Sequence, residues 1–327
     1  MLRGGWVMGA DHTVLRDDDT RPAGPSRAPA RHFIFAPSLF NDRNRPFLYF
    51  ASLGLLLIGA VALQWLAGMA LGIWAQSNAT ARKLVEALIA KDLSKVPWDL
   101  LFGLIAVSFL TYIFALAFAL RVVHARGLLS VLTDRSRFDL GRMAGGFLIY
   151  GALLVVPFLL YYWTTPSPPQ IHFEATAFLR LLLISAGVLL IQTSAEEMFF
   201  RGYLTQFVAS FTASPIFIIG IPSALFMLAH LENPELKEGA GALTFYFGFA
   251  VFMSLIAIRD RGLEFAIGAH FANNLVIATL VRTQDSIFQT PTLFVLPTGP
   301  DEAGPALPGL LAPVAYYFIT FLFLRRR

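Results

Sequence analysis

Three short stretches of the sequence place ionisable residues inside long apolar runs. They are 194–202 (SAEEMFFRG), 226–230 (FMLAH) and 270–274 (HFANN). Of the six histidines, only His230 and His270 lie well within apolar segments. Ionisable groups in a membrane core are costly and usually functional, so these stretches are the candidate site.

Helical spacing sorts the residues of these stretches by face. Glu197 and Arg201 are four residues apart and can pair on one face. Glu196 is rotated by about 100° from Glu197, which frees it to point elsewhere. His270 and Asn274 also share a face. We interpret Glu197 with Arg201 as a brace for the helix face that presents Glu196.

These residue types suit the hydrolysis of a peptide bond by water. A carboxylate in a low-dielectric site has a raised proton affinity, so Glu196 beside His230 can act as a general base. His270 and Asn274 offer N–H donors for the oxyanion that forms when water attacks a carbonyl. Phe226 lies one turn before His230 and can pack against its ring.

The surrounding composition is that of a membrane protein. Of the 327 residues, 56% are hydrophobic and 14% charged, whereas soluble domains carry about a quarter charged residues. The sequence therefore predicts an all-α, polytopic membrane helical bundle of about eight transmembrane helices. A span needs roughly 20 apolar residues, and such segments lie near 47–75, 100–123, 143–163, 177–200, 216–231, 242–258, 263–281 and 307–324. The fifth and seventh are short or interrupted by polar residues, so the count can differ by one.

One membrane domain and a flexible tail account for the chain. Residues 1–45 contain three consecutive aspartates, several Pro and Arg, and no apolar signal-peptide core, which predicts a disordered cytoplasmic tail. Residues 46–327 form the membrane-embedded domain, with a motif core at 177–281. The net charge of +4 fits the positive-inside bias of membrane proteins, and no nucleic-acid-binding motif accompanies it.

Loop charges predict the orientation. With eight spans, most loop Lys and Arg fall on one side, so both termini are expected in the cytoplasm of a multi-pass protein, in a bacterial inner membrane. The exception is the first loop, where Thr80–Leu93 alternates apolar and charged residues and predicts an interfacial helix. Glu232 and Glu264 lie near loops, and we expect both to be solvated.

Spacing also predicts the depth of each residue. Glu196 lies 16 residues before the turn at Thr212, and His230 lies 18 after it. These are roughly 24 and 27 Å along a helix, so a hairpin brings the two to one level. His270 is only 8 residues past Gly262, or roughly 12 Å. It can join the site only if the hairpin of the fourth and fifth spans projects further into the cytoplasm.

Together the motifs resemble those of the CAAX prenyl protease and bacteriocin-processing (CPBP) family, which includes Abi proteins. The family pattern is EExxxR, then FxxxH, then HxxxN or HxxxD, and 196–201, 226–230 and 270–274 match it in order. The resemblance covers 177–281, about a third of the chain. It implies an intramembrane endopeptidase of the glutamate type in which Glu196 and His230 activate water, and His270 and Asn274 form the oxyanion hole.

A metal is an open alternative at this stage. Many members of that family are described as metalloproteases, and Glu196, His230 and His270 could bind zinc by residue type. However, the sequence has no HExxH helix. It also lacks the GxSG and GxGD motifs of serine and aspartyl intramembrane proteases.

Two other functions compete with the protease. Intramembrane Glu and His residues also build the proton relays of transporters, although no inverted repeat is visible. A non-catalytic scaffold of the same family is the third hypothesis. The expected partners are the lipid bilayer and a peptide or membrane-protein substrate: a prenylated-like C-terminal tail, a peptide leader or another membrane protein. No nucleic acid is expected.

Overall fold

A computed structural model describes residues 45–166, 168–233, 240–283, 290–296 and 306–325. Within them the chain is an all-α helical bundle with one small sheet, which confirms the predicted fold class. The tail predicted for 1–45 lies outside the described residues, except for Arg45.

The helices follow the predicted apolar segments. They are α1 Pro46–Ala75, α2 Ala79–Ile89, α3 Trp98–His124, α4 Leu129–Leu132, α5 Leu140–Thr164, α6 Ala175–Glu197, α7 Thr205–Ala209, α8 Pro215–Ala229, α9 Ala240–Asp260, α10 Glu264–Thr279 and α11 Ala306–Arg325. A 3₁₀ turn, Leu93–Lys95, precedes α3, and a π-helical turn, Met198–Leu204, joins α6 to α7.

Several helix starts have a local sequence cause. The side chains of Asn78, Asp139 and Glu174 accept backbone N–H groups at the starts of α2, α5 and α6, which satisfies donors that the helix leaves unpaired. Proline begins α1 and α8, where its missing N–H costs nothing. The predicted helix at Thr80–Leu93 is α2, with one face buried through Ala81 and Val85.

Among the described residues, five helices are long and apolar enough to cross a membrane: α1, α3, α5, the continuous helix Ala175–Ala209, and α9 from Ala242. Pro215–Ala229 and Leu311–Leu322 are shorter apolar helices. Every predicted span coincides with a helix. The number of crossings, eight, stays a prediction.

A close crossing of α5 and α10 forms the centre of the bundle. Gly146 and Gly268 lie where the two backbones meet, and a Cβ at Gly268 would overlap the Met143 carbonyl oxygen. Small residues of this kind let membrane helices approach closely. Around the crossing lies a buried core that includes Tyr150, Phe249 and Phe265. The crossing fixes the position of α10, which carries His270 and Asn274.

The short helix α4 sets the relative depth of the site helices. The π-helical turn packs Gly202 against the Val131 carbonyl so closely that a Cβ would overlap it. At the same level, Leu263 N donates to Leu132 O at 2.7 Å. The turn after α6 and the start of α10 are thus both held against α4.

A buried ion network joins the α4–α5 loop to the α9–α10 turn. Arg135 pairs with Asp260 at 3.0 Å and with Glu264 at 3.2 Å, and Arg142 also contacts Asp260. The Glu264 side chain is fully buried. The expectation that Glu264 is solvated was therefore wrong, because the folded loop brings Arg135 onto it from 129 residues away. Glu232 is exposed, as expected.

Two further features complete the fold. Strands β1 Gln170–Ile171, β2 Val281–Thr283 and β3 Phe294–Leu296 form a sheet in the order β1-β3-β2, with β1 antiparallel and β2 parallel to β3. The sheet packs just beyond the C-terminus of α10, where Phe294 N donates to Leu280 O. A second polar cluster binds α1 to the π-helical turn: Ser52 Oγ lies 2.9 Å from His124 Nε2 and 2.5 Å from Tyr203 Oη.

Candidate active site

Glu197 is the centre of a buried charged cluster. Its Oε1 accepts from Arg201 Nη1 at 2.9 Å, so the predicted pair forms one turn along the chain. The same oxygen accepts from His270 Nδ1 at 2.7 Å. All three side chains are almost fully buried, at 0%, 1% and 4% exposure. Glu197 therefore braces two residues, of which sequence spacing identified only Arg201.

Glu196 points away from Arg201, as helical spacing predicted. Its Oε1 accepts from Gln192 Nε2 at 3.2 Å. Its Oε2 lies 3.6 Å from His270 Nε2. The ring of His270 thus sits between two carboxylates, with Nδ1 bound to Glu197 and Nε2 facing Glu196.

His230 is held by its own helix end. It is the C-cap residue of α8, and its Nδ1 donates to the Phe226 carbonyl at 2.7 Å because that oxygen can only accept. Its ring packs on Phe226, with centroids 4.4 Å apart, as predicted. Within the described part of the chain, no hydrogen bond or ion pair joins His230 to Glu196. The structure instead places His270 beside Glu196.

Asn274 lies one turn after His270 on α10 and is half-buried. Its Oδ1 accepts from Nδ2 of the buried Asn273 at 3.1 Å. That contact uses an oxygen of Asn274 and leaves its amide N–H groups available as donors. Both asparagines thus lie on α10 within about one turn of His270 along the chain.

Aromatic rings surround the cluster, and α9 supplies part of them. Arg201 lies over the Phe226 ring, 4.2 Å from its centroid, and the His270 ring packs against Phe226 and Phe249 at 5.9 and 5.2 Å. The Tyr246 ring packs on His230 at 4.7 Å. Sequence reasoning missed Tyr246 and Phe249 because aromatic residues are abundant in every apolar segment. Only the packing of α9 against α8 and α10 distinguishes them.

The contacts of α6 and α10 with α4 explain why His270 lies at the same level as Glu196. The helix of the fourth span continues through the π-helical turn to Ala209, so the continuous helix Ala175–Ala209 has 35 residues. The π-helical turn within this helix contacts α4 through Gly202 and the Val131 carbonyl. Gly202 and Leu263 are the residues of the two site helices that contact α4. Glu196 lies six residues before Gly202, and His270 lies seven residues after Leu263. The two side chains consequently lie at one level.

The residues do not fit a three-ligand metal site. Across the described ranges, no three His, Asp or Glu side chains are grouped so that they could hold one metal ion. His270 directs its nitrogens at Glu197 and Glu196, and His230 directs Nδ1 at a carbonyl. A zinc site of Glu196, His230 and His270 would require His230 and Glu196 to converge, whereas no hydrogen bond or ion pair joins these two side chains among the described residues.

Comparison with known proteins matches the region that holds this cluster. Residues 177–276 match the family model of Rce1-like type II CAAX prenyl endopeptidases. The chain is similar to the uncharacterized protein YyaK of Bacillus subtilis (strain 168), with 32% identity over 198 residues, which are 59% of this chain and 66% of that protein. No solved structure matches the chain significantly.

The matched region includes α6, the π-helical turn, α8, α9 and most of α10, and it therefore contains every residue of the buried cluster. The order of motifs, the buried cluster and the family match agree with one another. Residues 177–276 therefore form a domain of the Rce1-like type II CAAX prenyl endopeptidases, a family of membrane proteases, and the chain spans just under two thirds of the length of YyaK.

Proposed function

We propose that the protein is an intramembrane endopeptidase that hydrolyses a peptide bond near the membrane surface, with Glu196 as the base that activates water. The observation that carries this proposal is the orientation of His270. Its Nδ1 is bound to Glu197 at 2.7 Å, and its Nε2 faces Glu196 Oε2 at 3.6 Å. The Glu196 carboxylate, as base, and the His270 Nε2–H, as donor, thus lie on either side of one position. In this proposal the carbonyl of the scissile peptide bond lies there when water attacks it.

The first step uses Glu196 and His230. Glu196 Oε2 is buried and lacks a hydrogen-bond partner among the described residues, so it can accept a proton from water. The bond from His230 Nδ1 to Phe226 O leaves Nε2 as the acceptor in the neutral ring. Closure of the site around substrate would bring this nitrogen to the same water. The water oxygen then attacks the carbonyl carbon while its proton passes to Glu196.

His270 and Asn274 stabilise the oxyanion in this proposal. Since His270 Nδ1 donates to Glu197, Nε2 can donate to an oxyanion only when the ring carries both protons. Glu197, which binds Nδ1, and the oxyanion itself compensate that charge, since Glu196 is neutral once it has taken the proton from water. The Asn274 amide supplies the second donor. Collapse of the tetrahedral intermediate breaks the C–N bond, and the proton held by Glu196 passes to the leaving nitrogen.

The substrate class follows from the family and from the site. A peptide that ends in a prenylated Cys-aliphatic-aliphatic-X motif is the first candidate, since the matched family is named for it. A peptide leader and a membrane-protein segment are the other two. Bacteriocin processing would be the removal of a peptide leader. A protease of the glutamate type accounts for the charged cluster without a metal ligand set.

Cleavage by the purified full chain tests the proposal. The protein in lipid nanodiscs is incubated with fluorescence-quenched peptides that represent farnesylated and unmodified Cys-aliphatic-aliphatic-X tails, leader peptides and membrane-protein segments. Wild type is compared with Glu196→Gln and His230→Ala. We expect the wild type to cleave at least one class and Glu196→Gln to lose about 100-fold or more in kcat. His230→Ala is expected to lose activity as well.

Two controls separate the alternatives. Equal cleavage by wild type and both variants would eliminate the protease mechanism. A proton or solute flux in proteoliposomes that Glu196→Gln abolishes, without any cleavage, would identify a carrier. Neither activity, with retained binding to a partner, would favour the non-catalytic scaffold. A chelator is expected to leave kcat unchanged, and a chelator-sensitive rate that Zn²⁺ restores would establish a metalloprotease.

A further inference from the structure

Gln192 lies outside the three motif stretches, yet its side chain contacts the carboxylate proposed to activate water. Its Nε2 donates to Glu196 Oε1 at 3.2 Å. The two residues are four apart on α6 and share one face. In the described ranges, no other group donates a hydrogen bond to Glu196. Gln192 is thus a half-buried polar residue of a transmembrane segment whose hydrogen bond is directed at the site.

This contact distinguishes the two oxygens of Glu196. Oε1 is occupied by the Gln192 amide, whereas Oε2 faces His270 Nε2 at 3.6 Å and has no hydrogen bond. A free glutamate side chain rotates about three torsions, and either oxygen could otherwise face the substrate. The hydrogen bond to Gln192 therefore selects which oxygen is left to take the proton.

We propose that Gln192 is a positioning residue for hydrolysis: it binds Glu196 Oε1 and so holds Oε2 at the point where water is activated. The inference rests on the proposed function. A general base is effective only within hydrogen-bond reach of the proton that it takes, so a carboxylate that can rotate spends less time in the reactive geometry. In this role Gln192 acts on Glu196 and not on the substrate, so its loss should lower turnover and leave substrate binding intact.

Chain neighbours offer matched variants for the test. Gln192→Met keeps the side-chain length and removes the donor. Gln192→Glu keeps the shape and places a second acceptor against Glu196. Ser185→Ala is the control, because Ser185 is also on α6, lies outside the three motif stretches, and has a buried hydroxyl without a hydrogen-bond partner within the described chain. Each full-length variant is reconstituted in nanodiscs with the quenched peptide that wild type cleaves fastest, and kcat, KM and Tm are measured.

We expect Gln192→Met to lower kcat by about 10- to 100-fold with KM within about twofold of wild type. Gln192→Glu should lower kcat at least as much, and Ser185→Ala should match wild type. Tm should change little in all three, since a structural defect would lower Tm and the folded fraction. If Gln192→Met yields no folded protein, Gln192→Glu is judged by the same criteria.

The outcomes separate this inference from the proposed function. If Glu196→Gln loses cleavage but Gln192→Met keeps the kcat of Ser185→Ala, the positioning role is wrong and the protease stands. A kcat loss in Gln192→Met that is matched by a fall in Tm would also overturn the positioning role. If Glu196→Gln cleaves like wild type, Glu196 is not the base and both proposals are rejected.

Discussion

His270 Nδ1 donates to Glu197 Oε1 at 2.7 Å across 73 residues of sequence. This bond joins the first and the last of the three motif stretches and gives Glu197 two partners, since the same oxygen accepts from Arg201. It also orients the second nitrogen of His270 towards Glu196. The bond therefore couples the stability of the buried cluster to the geometry of the proposed site.

Loss of the Glu197 charge should destabilise the fold. Glu197→Gln leaves the Arg201 guanidinium buried without its counter-charge, and breaking a buried pair costs about 3–5 kcal/mol. Unfolding titrations in mixed micelles would measure this free energy. The double variant Glu197→Gln/Arg201→Met should recover much of the loss, because it removes the uncompensated charge. A double variant no more stable than Glu197→Gln would contradict this account.

An exposed ion pair provides the control for that series. Arg180 contacts Asp99, and their side chains are 60% and 31% exposed. Asp99→Asn should therefore change the free energy of unfolding by no more than about 1 kcal/mol.

Alanine at Gly268 should disrupt the crossing of α5 and α10. The added Cβ would overlap the Met143 carbonyl, a backbone atom that cannot rotate away. Overpacking costs about 1–3 kcal/mol, which exceeds the roughly 1 kcal/mol that a helix gains when alanine replaces glycine. Thermal unfolding in detergent should show a lower Tm and, because His270 lies two residues on, a lower kcat.

Gly151→Ala is the matched control on α5. Its Cβ would lie 3.8 Å from the Ala272 Cβ, an ordinary contact, so the alanine should be neutral or slightly stabilising. Equal losses in both glycine variants would show that the close approach at Gly268 is not the cause of the loss.

Because the Asp139 carboxylate caps α5, the stability of the protein should decrease at acid pH. Asp139 lies outside the membrane-spanning segments, and hydrogen bonds from the backbone N–H of Arg142 and Gly141 lower the pKa of its carboxyl. A lowered folded-state pKa contributes stability above the unfolded pKa, and this contribution disappears as pH falls through the folded pKa. Asp139→Ala should thus lower Tm by a few degrees at neutral pH.

The pH comparison identifies the charge of Asp139 as the cause. The Tm difference between wild type and Asp139→Ala should shrink below about pH 4, where the unfolded carboxyl titrates. Asp139→Asn keeps a capping oxygen without the charge. Its Tm at neutral pH should therefore lie between those of wild type and Asp139→Ala. A Tm difference that stays constant from neutral to acid pH would show that the carboxylate charge does not matter.

The buried ion network at the α9–α10 turn should contribute more to stability than the neighbouring exposed ion pair of Asp134 and Arg261. Asp260 is buried and binds both Arg135 and Arg142, whereas Asp134 contacts Arg261 near the surface. Asp260→Asn should lower Tm clearly more than Asp134→Asn, because it removes the buried carboxylate that both guanidinium groups share and leaves Arg135 with Glu264 alone. Similar Tm values for the two variants would indicate that water screens the network.

Much of the helical architecture was predictable because apolar runs and local caps are properties of short segments. Each predicted span coincides with a helix. The Glu197–Arg201 pair and the Phe226–His230 contact also followed from spacing along one helix. The burial of Glu264 could not be predicted, since its partner Arg135 lies in a distant loop.

The sequence by itself determined the membrane class, the helix positions, the motif order and which residues share a helical face, since all of these depend on neighbours within a few turns. Only the tertiary structure decided that Glu197 binds His270, that Glu196 faces His270 rather than His230, and that α9 contributes Tyr246. These relationships depend on the depth and rotation of separate helices. The contacts of α4 with both site helices, and the close approach of α5 to α10, set that depth and rotation.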